Sequence, residues 1–217
     1  MLNDRIDFKV SKFHERSKVH LYSNCYSTAM EILIQPILAR LNDKTLQALV
    51  NDVSREYEGI RVMLASGANN LTSSSLKKNP NFQSLFDTNR NQWNSSKLLD
   101  WFYDKLKPNK DRVILFILDV DAYSHGLNFV LGEAYPKGGL GAVYLARIRE
   151  EFYGLKPNDK LFYERMVKEC VHELGHILGF AHCPNEECVM HFSNSLSDTD
   201  VKGKSFCRAC SMKKTIF

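Results

Sequence analysis

The five residues His172-Glu173-Leu174-Gly175-His176 restrict the fold of this 217-residue chain more than any other stretch. They close a segment, Asp159 to Leu178, whose apolar residues Met166, Val167, Cys170, Val171, Leu174, Ile177 and Leu178 recur at helical spacing as one broad stripe. Four residues of α-helix turn through about 400°, which sets His172 and His176 on one face, a turn apart, within reach of one metal ion. That face is not the apolar stripe, so the stripe is expected to pack on the rest of the domain while the histidines look into a cleft. Glu173 lies beside them, placed to take a proton from a metal-bound water rather than to ligate the ion.

Three residues beyond His176 stands Gly179, and three further on is His182. A straight helix would carry His182 away from its partners. A glycine at positive φ ends the helix and folds the chain back. His182 then completes a three-nitrogen set with the fourth position left for water, the open arrangement of a catalytic zinc. Ordinary residue frequencies produce the bare pentad in roughly 0.5% of chains this long, and the pattern extended to Gly179 and His182 in about one in 100,000.

Two cysteine pairs follow, Cys183 with Cys188 and Cys207 with Cys210, and their reading depends on the redox compartment. The N-terminus, Met1-Leu2-Asn3-Asp4-Arg5, has no apolar core of a signal peptide. The longest purely apolar run, Val113 to Leu118, is far too short to span a membrane. The expected location is therefore the cytosol or nucleus, where thiols stay reduced. Both spacings then suit a tetrahedral structural zinc bound by four thiolates. A redox-active pair at Cys207, disulfides and unrelated thiols are the alternatives. A redox pair belongs at a helix N-terminus after a strand, and Val201-Lys202-Gly203-Lys204-Ser205 offers no strand. Cys25 and Cys170 fall outside both pairs, and Cys170, on the apolar stripe, reads as core.

Upstream the text is that of an alternating α/β domain. Strands are expected at Glu31 to Ile37, Ile60 to Ala65 and Val113 to Val120, with helices at Asp43 to Tyr57 and from Ser95 to Leu106. Residues 69–94, dense in Asn and Ser, read as a long surface loop. Leu127 to Leu131 and Leu140 to Ile148 read as shorter strands joined by a turn at Tyr135-Pro136-Lys137-Gly138-Gly139. The fold class is thus α/β, a mixed twisted sheet with an active-site helix. Residues 1–28 form an unassigned N-terminal extension, 29–181 the catalytic subdomain, and 182–217 an irregular zinc-braced C-terminal subdomain. The formal charge of +4 is scattered without a basic block, which gives nucleic acid no footprint.

The run His172-Glu173-x-x-His176-x-x-Gly179-x-x-His182-Cys183, then Cys188-x-Met190, then Cys207-x-x-Cys210, resembles the archaemetzincin (archaelysin) family of metzincin-like zinc peptidases. The resemblance implies a catalytic zinc on His172, His176 and His182, Glu173 as general base, and a second zinc on Cys183, Cys188, Cys207 and Cys210. It also implies that Met190 forms the floor beneath the metal, although by itself Met190 reads as an ordinary core methionine. Position 192, where some metzincins carry a metal-reaching tyrosine, is Phe192, which leaves three histidines and water. In such enzymes the sheet edge above the zinc pairs with an extended substrate, a role that would fall to Gly139, Leu140, Gly141 and Ala142. A hairpin that needs glycine for its turn explains the same residues equally well. His125 and His191 are expected as surface or satisfied histidines. The expected activity is peptide-bond hydrolysis on a peptide or protein substrate. The rival is a zinc-stabilised peptide-binding protein without turnover, against which an intact Glu173 argues.

Overall fold

Residues 113–118 carry six consecutive large apolar side chains, which leave neither face of a strand fit for water, and they form the middle strand of the main sheet. The computed structural model describes residues 30–65, 71–109 and 111–213, so the N-terminal extension expected over 1–28, with Cys25, lies outside the described residues. In chain order the elements are β1 (Glu31–Pro36), α1 (Asp43–Glu56), β2 (Arg61–Leu64), α2 (Ser73–Lys77), α3 (Pro80–Gln83), β3 (Phe86–Asp87), β4 (Gln92–Asn94), α4 (Ser95–Leu106), β5 (Arg112–Leu118), β6 (Ala122–Tyr123), β7 (Gly132–Tyr135), β8 (Leu140–Tyr144), α5 (Asp159–Ile177), α6 (Leu196–Val201) and α7 (Arg208–Ser211).

The main sheet runs β2-β1-β5-β8-β7, parallel except for β7, which pairs antiparallel with β8. Side chains alternate across it with the period of two that a strand imposes. Val113, Leu115 and Ile117 face α1 and α5, whereas Ile114, Phe116 and Leu118 face α4, where Phe102 stacks on Phe116 at 3.9 Å between ring centroids. The sheet is thus the middle of three layers, the mixed α/β architecture that the sequence implies. Asn158 caps α5 by accepting from the Leu161 N–H, and the buried Tyr57 hydroxyl donates to the Val171 carbonyl at 2.6 Å, tying α5 to α1's end.

Residues 69–94 are not a loop where they are described. Thr72 and Ser75 form a capping box for α2, Asn79 caps α3, and Leu76 and Phe82 bury under α4, with Phe82 against Trp93 and Trp101. Elements this short carry no period to read. The strand expected at Leu127 to Leu131 starts later, at Gly132. Arg90 and Gln92 side chains bind the Leu127 and Asn128 carbonyls, which removes them from any ladder. The segment after His182 shares the main core through Val189, Met190, Phe206 and Cys210, and it contains α6 and α7.

The placement of substrate along Gly139, Leu140, Gly141 and Ala142 is corrected by the topology. β8 is hydrogen-bonded on both sides, to β5 and β7, so its backbone has no free edge. Gly139, at φ +63°, makes the β7–β8 turn. A Cβ on Gly141 would lie 2.9 Å from the Ile177 side chain, so this glycine lets α5 approach the sheet. The edge strand on the side of the histidine cleft is β7, and β2 is the other edge.

Candidate active site

Helix α5 ends as its sequence requires. Gly179 takes φ +92°, and the Phe180 N–H returns to the Gly175 carbonyl at 2.9 Å, which reverses the chain and brings His182 back. Nε2 of His176 then lies 3.0 Å from Nε2 of His172 and 3.1 Å from Nε2 of His182. Nδ1 of His172 donates to the Val189 carbonyl at 2.7 Å, and Nδ1 of His176 to the Phe180 carbonyl at 2.8 Å. With those protons on Nδ1, both Nε2 atoms present lone pairs to one another, which is repulsive unless a cation sits between them. A zinc held at about 2.0–2.1 Å by each nitrogen would set them about 3.3 Å apart, close to the spacing observed. Burial, reinforced by the charge of Lys202, pushes the His172 imidazole down to about 3 and lowers His176 and His182 as well, so all three favour the neutral form that binds metal.

Glu173 shares the cleft and is almost wholly buried. Burial, and after it the carboxylates of Glu169 and Glu133, raise its proton affinity well above the usual carboxylate range, while Lys202 opposes them. Gly132 makes room for it, since a Cβ there would lie 2.5 Å from Oε1 of Glu173. Met190 is fully buried, and its sulfur occupies the space that a side chain at Gly175 would need. Phe192 packs on the His182 ring at 4.8 Å. His125 is exposed, and His191 is satisfied by the Cys183 carbonyl.

The four cysteine sulfurs also meet. All lie within 4.8 Å of one another, and Cys183 and Cys207 are 3.8 Å apart, the edge expected of a tetrahedron of thiolates about 2.3 Å from a zinc. The Cys210 backbone N–H leads the contacts that draw the Cys207 thiol down to about 7, whereas burial pushes Cys188 and Cys210 up. A metal is what keeps buried thiolates charged.

A family model, peptidase family M54, matches residues 30–215. The chain belongs to that family. It is 40% identical over 184 residues to the archaemetzincin of Pyrococcus abyssi, covering 84% of this chain and 93% of that one. It is 43% identical over 155 residues to the archaemetzincin of Pyrococcus horikoshii, covering 71% and 78%. Among solved structures, the archaemetzincin of Archaeoglobus fulgidus in complex with malonate aligns at 33% identity and TM-score 0.63 over 85% of this chain and 99% of that one. The archaemetzincin of Methanopyrus kandleri aligns at 28% identity and TM-score 0.68 over 88% and 97%. The chain is therefore a zinc metallopeptidase of the archaemetzincin family. No helix among the described residues is long and apolar enough to cross a membrane.

His172, His176, His182 and Glu173 line one cleft of about 650 Å³, to which the fold also brings polar residues that their sequence context did not single out. Glu133 arrives on β7, Glu169 from α5, and Ser193 and Lys202 from the segment around α6. Glu169 was legible, because it precedes His172 by one helical turn on the same face. Ser193 and Lys202 were not, since only long-range packing brings them here. Gly139 to Ala142 lie outside this cleft.

Proposed function

We propose that this chain hydrolyses peptide bonds at a zinc held by His172, His176 and His182, with Glu173 as general base, and that Cys183, Cys188, Cys207 and Cys210 hold a second, structural zinc. The observation that carries the reading is the convergence of three imidazole nitrogens, two of them with tautomers set by backbone carbonyls, beside a buried carboxylate. Zinc bound there supplies Lewis acidity to the scissile carbonyl and to the attacking water. Glu173, with its raised proton affinity, accepts the water's proton and returns it to the leaving amine. His172 and His176 stay deprotonated at Nε2 because their Nδ1–H groups are engaged by the Val189 and Phe180 carbonyls. The open edge of β7, whose Gly132, Glu133 and Ala134 line the cleft, offers backbone groups to an extended substrate.

Replacing Glu173 with Ala separates an enzyme from a peptide binder. Zinc content should stay that of the wild type, because the carboxylate is not a ligand, while turnover falls about 100-fold or more. A zinc-replete Glu173→Ala form with wild-type turnover refutes the mechanism. A wild-type protein that retains peptides and cleaves none supports the binder.

A further inference from the structure

Buried polar atoms without a hydrogen-bond partner are uncommon in folded proteins, and each asks for an explanation. Oε2 of Glu133, Oγ of Ser193 and Nζ of Lys202 are such atoms, and all three residues line the cleft that holds the histidines. Lys202 is the costliest of them, because its side chain is 0% exposed and an ammonium is expensive to bury. Its Nζ forms a 2.9 Å ion pair with Oε1 of Glu169, an oxygen that also accepts from the Thr199 hydroxyl at 3.1 Å, and no other group among the described residues takes up the remaining ammonium protons.

The residue is held there by the fold. The end of α6 is fastened to α5, with Nζ of Lys168 donating to the Thr199 and Asp200 carbonyls at 2.9 Å each. Arg165 grips the Asp200 carboxylate with two hydrogen bonds of 2.6 and 2.7 Å. Lys202 follows directly and turns into the cleft wall. A pair that served stability alone would be satisfied on both sides, and apolar residues of similar volume would serve at least as well. Lys202 and Ser193 line the cleft with donor capacity that no group among the described residues takes up, which leaves room for an acceptor.

Glu169 stands one helical turn before His172, so the Lys202–Glu169 pair lies about 5 Å along the helix from the metal ligands. That is between one and two residues of extended chain, at about 3.3 Å each. We propose that Lys202, assisted by the Ser193 hydroxyl, is a carboxylate-binding subsite that selects substrates with Asp or Glu beside the scissile bond. The inference rests on the peptidase reading above. Glu169 keeps the ammonium paired while the cleft is empty, and the substrate carboxylate takes the donors that Glu169 leaves unused.

The test uses one random octapeptide pool in two arms. Cleavage by the wild-type protein is read by mass spectrometry of the products, and retention by the zinc-loaded Glu173→Ala form is read by sequencing the bound peptides. Asp and Glu should be enriched at a position flanking the cleaved bond and among the retained peptides. A matched pair of peptides with Glu or Ala at that position should differ about tenfold or more in kcat/KM, the scale of a charge-assisted hydrogen bond. In the double variant Lys202→Met, Glu169→Gln, which leaves no buried charge unpaired, both the enrichment and that ratio should fall to about unity. If the double variant does not fold, as judged by its melting transition, Ser193→Ala should lower the ratio instead. Cleavage without acidic enrichment, or with enrichment of Lys or Arg, overturns the subsite and leaves the peptidase standing. An absence of cleavage refutes the peptidase reading, and the retention arm then decides the subsite alone: retained peptides without acidic enrichment overturn it.

Discussion

Nδ1 of His172 donates to the carbonyl oxygen of Val189 at 2.7 Å, which binds the first residue of the pentad to the turn that carries Met190. The next residue then sets its sulfur against Gly175, inside the same helical turn. The packing of the Met190 sulfur on α5 and a fixed imidazole tautomer are therefore products of one turn, Cys188 to His191, closed by the His191 N–H on the Cys188 carbonyl.

The first prediction follows from that packing. Gly175→Ala should destabilise the protein, although alanine is the better helix former by about 1 kcal/mol, because its Cβ and the Met190 sulfur need the same space. Overpacking of this kind costs about 1–3 kcal/mol. Met190→Ala removes the collision at the cost of a cavity, so the double variant should be markedly more stable than the sum of the single changes. Denaturant unfolding of the three variants measures the coupling, and strict additivity would show that the two residues do not compete.

The cysteine cluster gives the second. Cys207→Ser should remove one zinc per chain and lower the melting temperature. Activity should fall mainly through Met190 and His182, because Cys183 adjoins His182 and its N–H holds the Met190 carbonyl at 2.9 Å. A chelator should strip the histidine site before the thiolate site, since an open coordination position admits a competing ligand and a closed one does not. Elemental analysis during timed chelation checks the order. Simultaneous loss of both ions would contradict separable sites.

How far these sites could be read beforehand depended on the range of the interactions that build them. His172, Glu173 and His176 were legible because helical geometry alone relates them, His182 because a glycine at 179 can end that helix and fold the chain back, and the β5 strand because its six apolar residues admit no other environment. The expected stripe of α5 is buried throughout, but the face opposite is buried too, with Arg165, Lys168 and Glu169 covered by the segment around α6. No helical period announces a partner contributed thirty residues later. The sheet edge was misplaced for a related reason. On sequence alone Gly141 fitted an opening for a ligand and a hairpin glycine equally well, whereas the space there is taken by Ile177.

A third prediction concerns acid. Burial holds His172 at about 3 in the folded protein, against about 6.5 in an unfolded chain. Between those values the unfolded state takes a proton that the folded state refuses, so metal-free protein should lose stability as pH falls from 6.5 towards 3. The slope approaches about 1.4 kcal/mol per pH unit for this one residue. Glu173, whose proton affinity is raised, acts in the opposite sense, with a contribution lost as pH rises. The comparison that isolates His172 is therefore metal-free wild type against His172→Asn. The stability gap between them should shift in favour of the variant as pH falls through this window, and a gap constant with pH would contradict the assignment.

The last prediction uses Gly132, at the start of the open edge strand. A Cβ there would lie 2.5 Å from both Cγ and Oε1 of Glu173, and neither is the loose end of a surface side chain, because Glu173 is almost wholly buried. Gly132→Ala must therefore displace the carboxylate or the strand. If Glu173 is the general base, a shift of about 1 Å should lower kcat on the order of 100-fold, with KM and the zinc content little changed, because the carboxylate holds neither the ion nor the substrate backbone. If instead the glycine only lets β7 pack on α5, the variant should lose stability and its remaining folded fraction should turn over normally. Active-site titration with a tight-binding metal chelate inhibitor, combined with kcat measured per folded site, separates the two, and an unaltered kcat per site would remove Gly132 from the catalytic account.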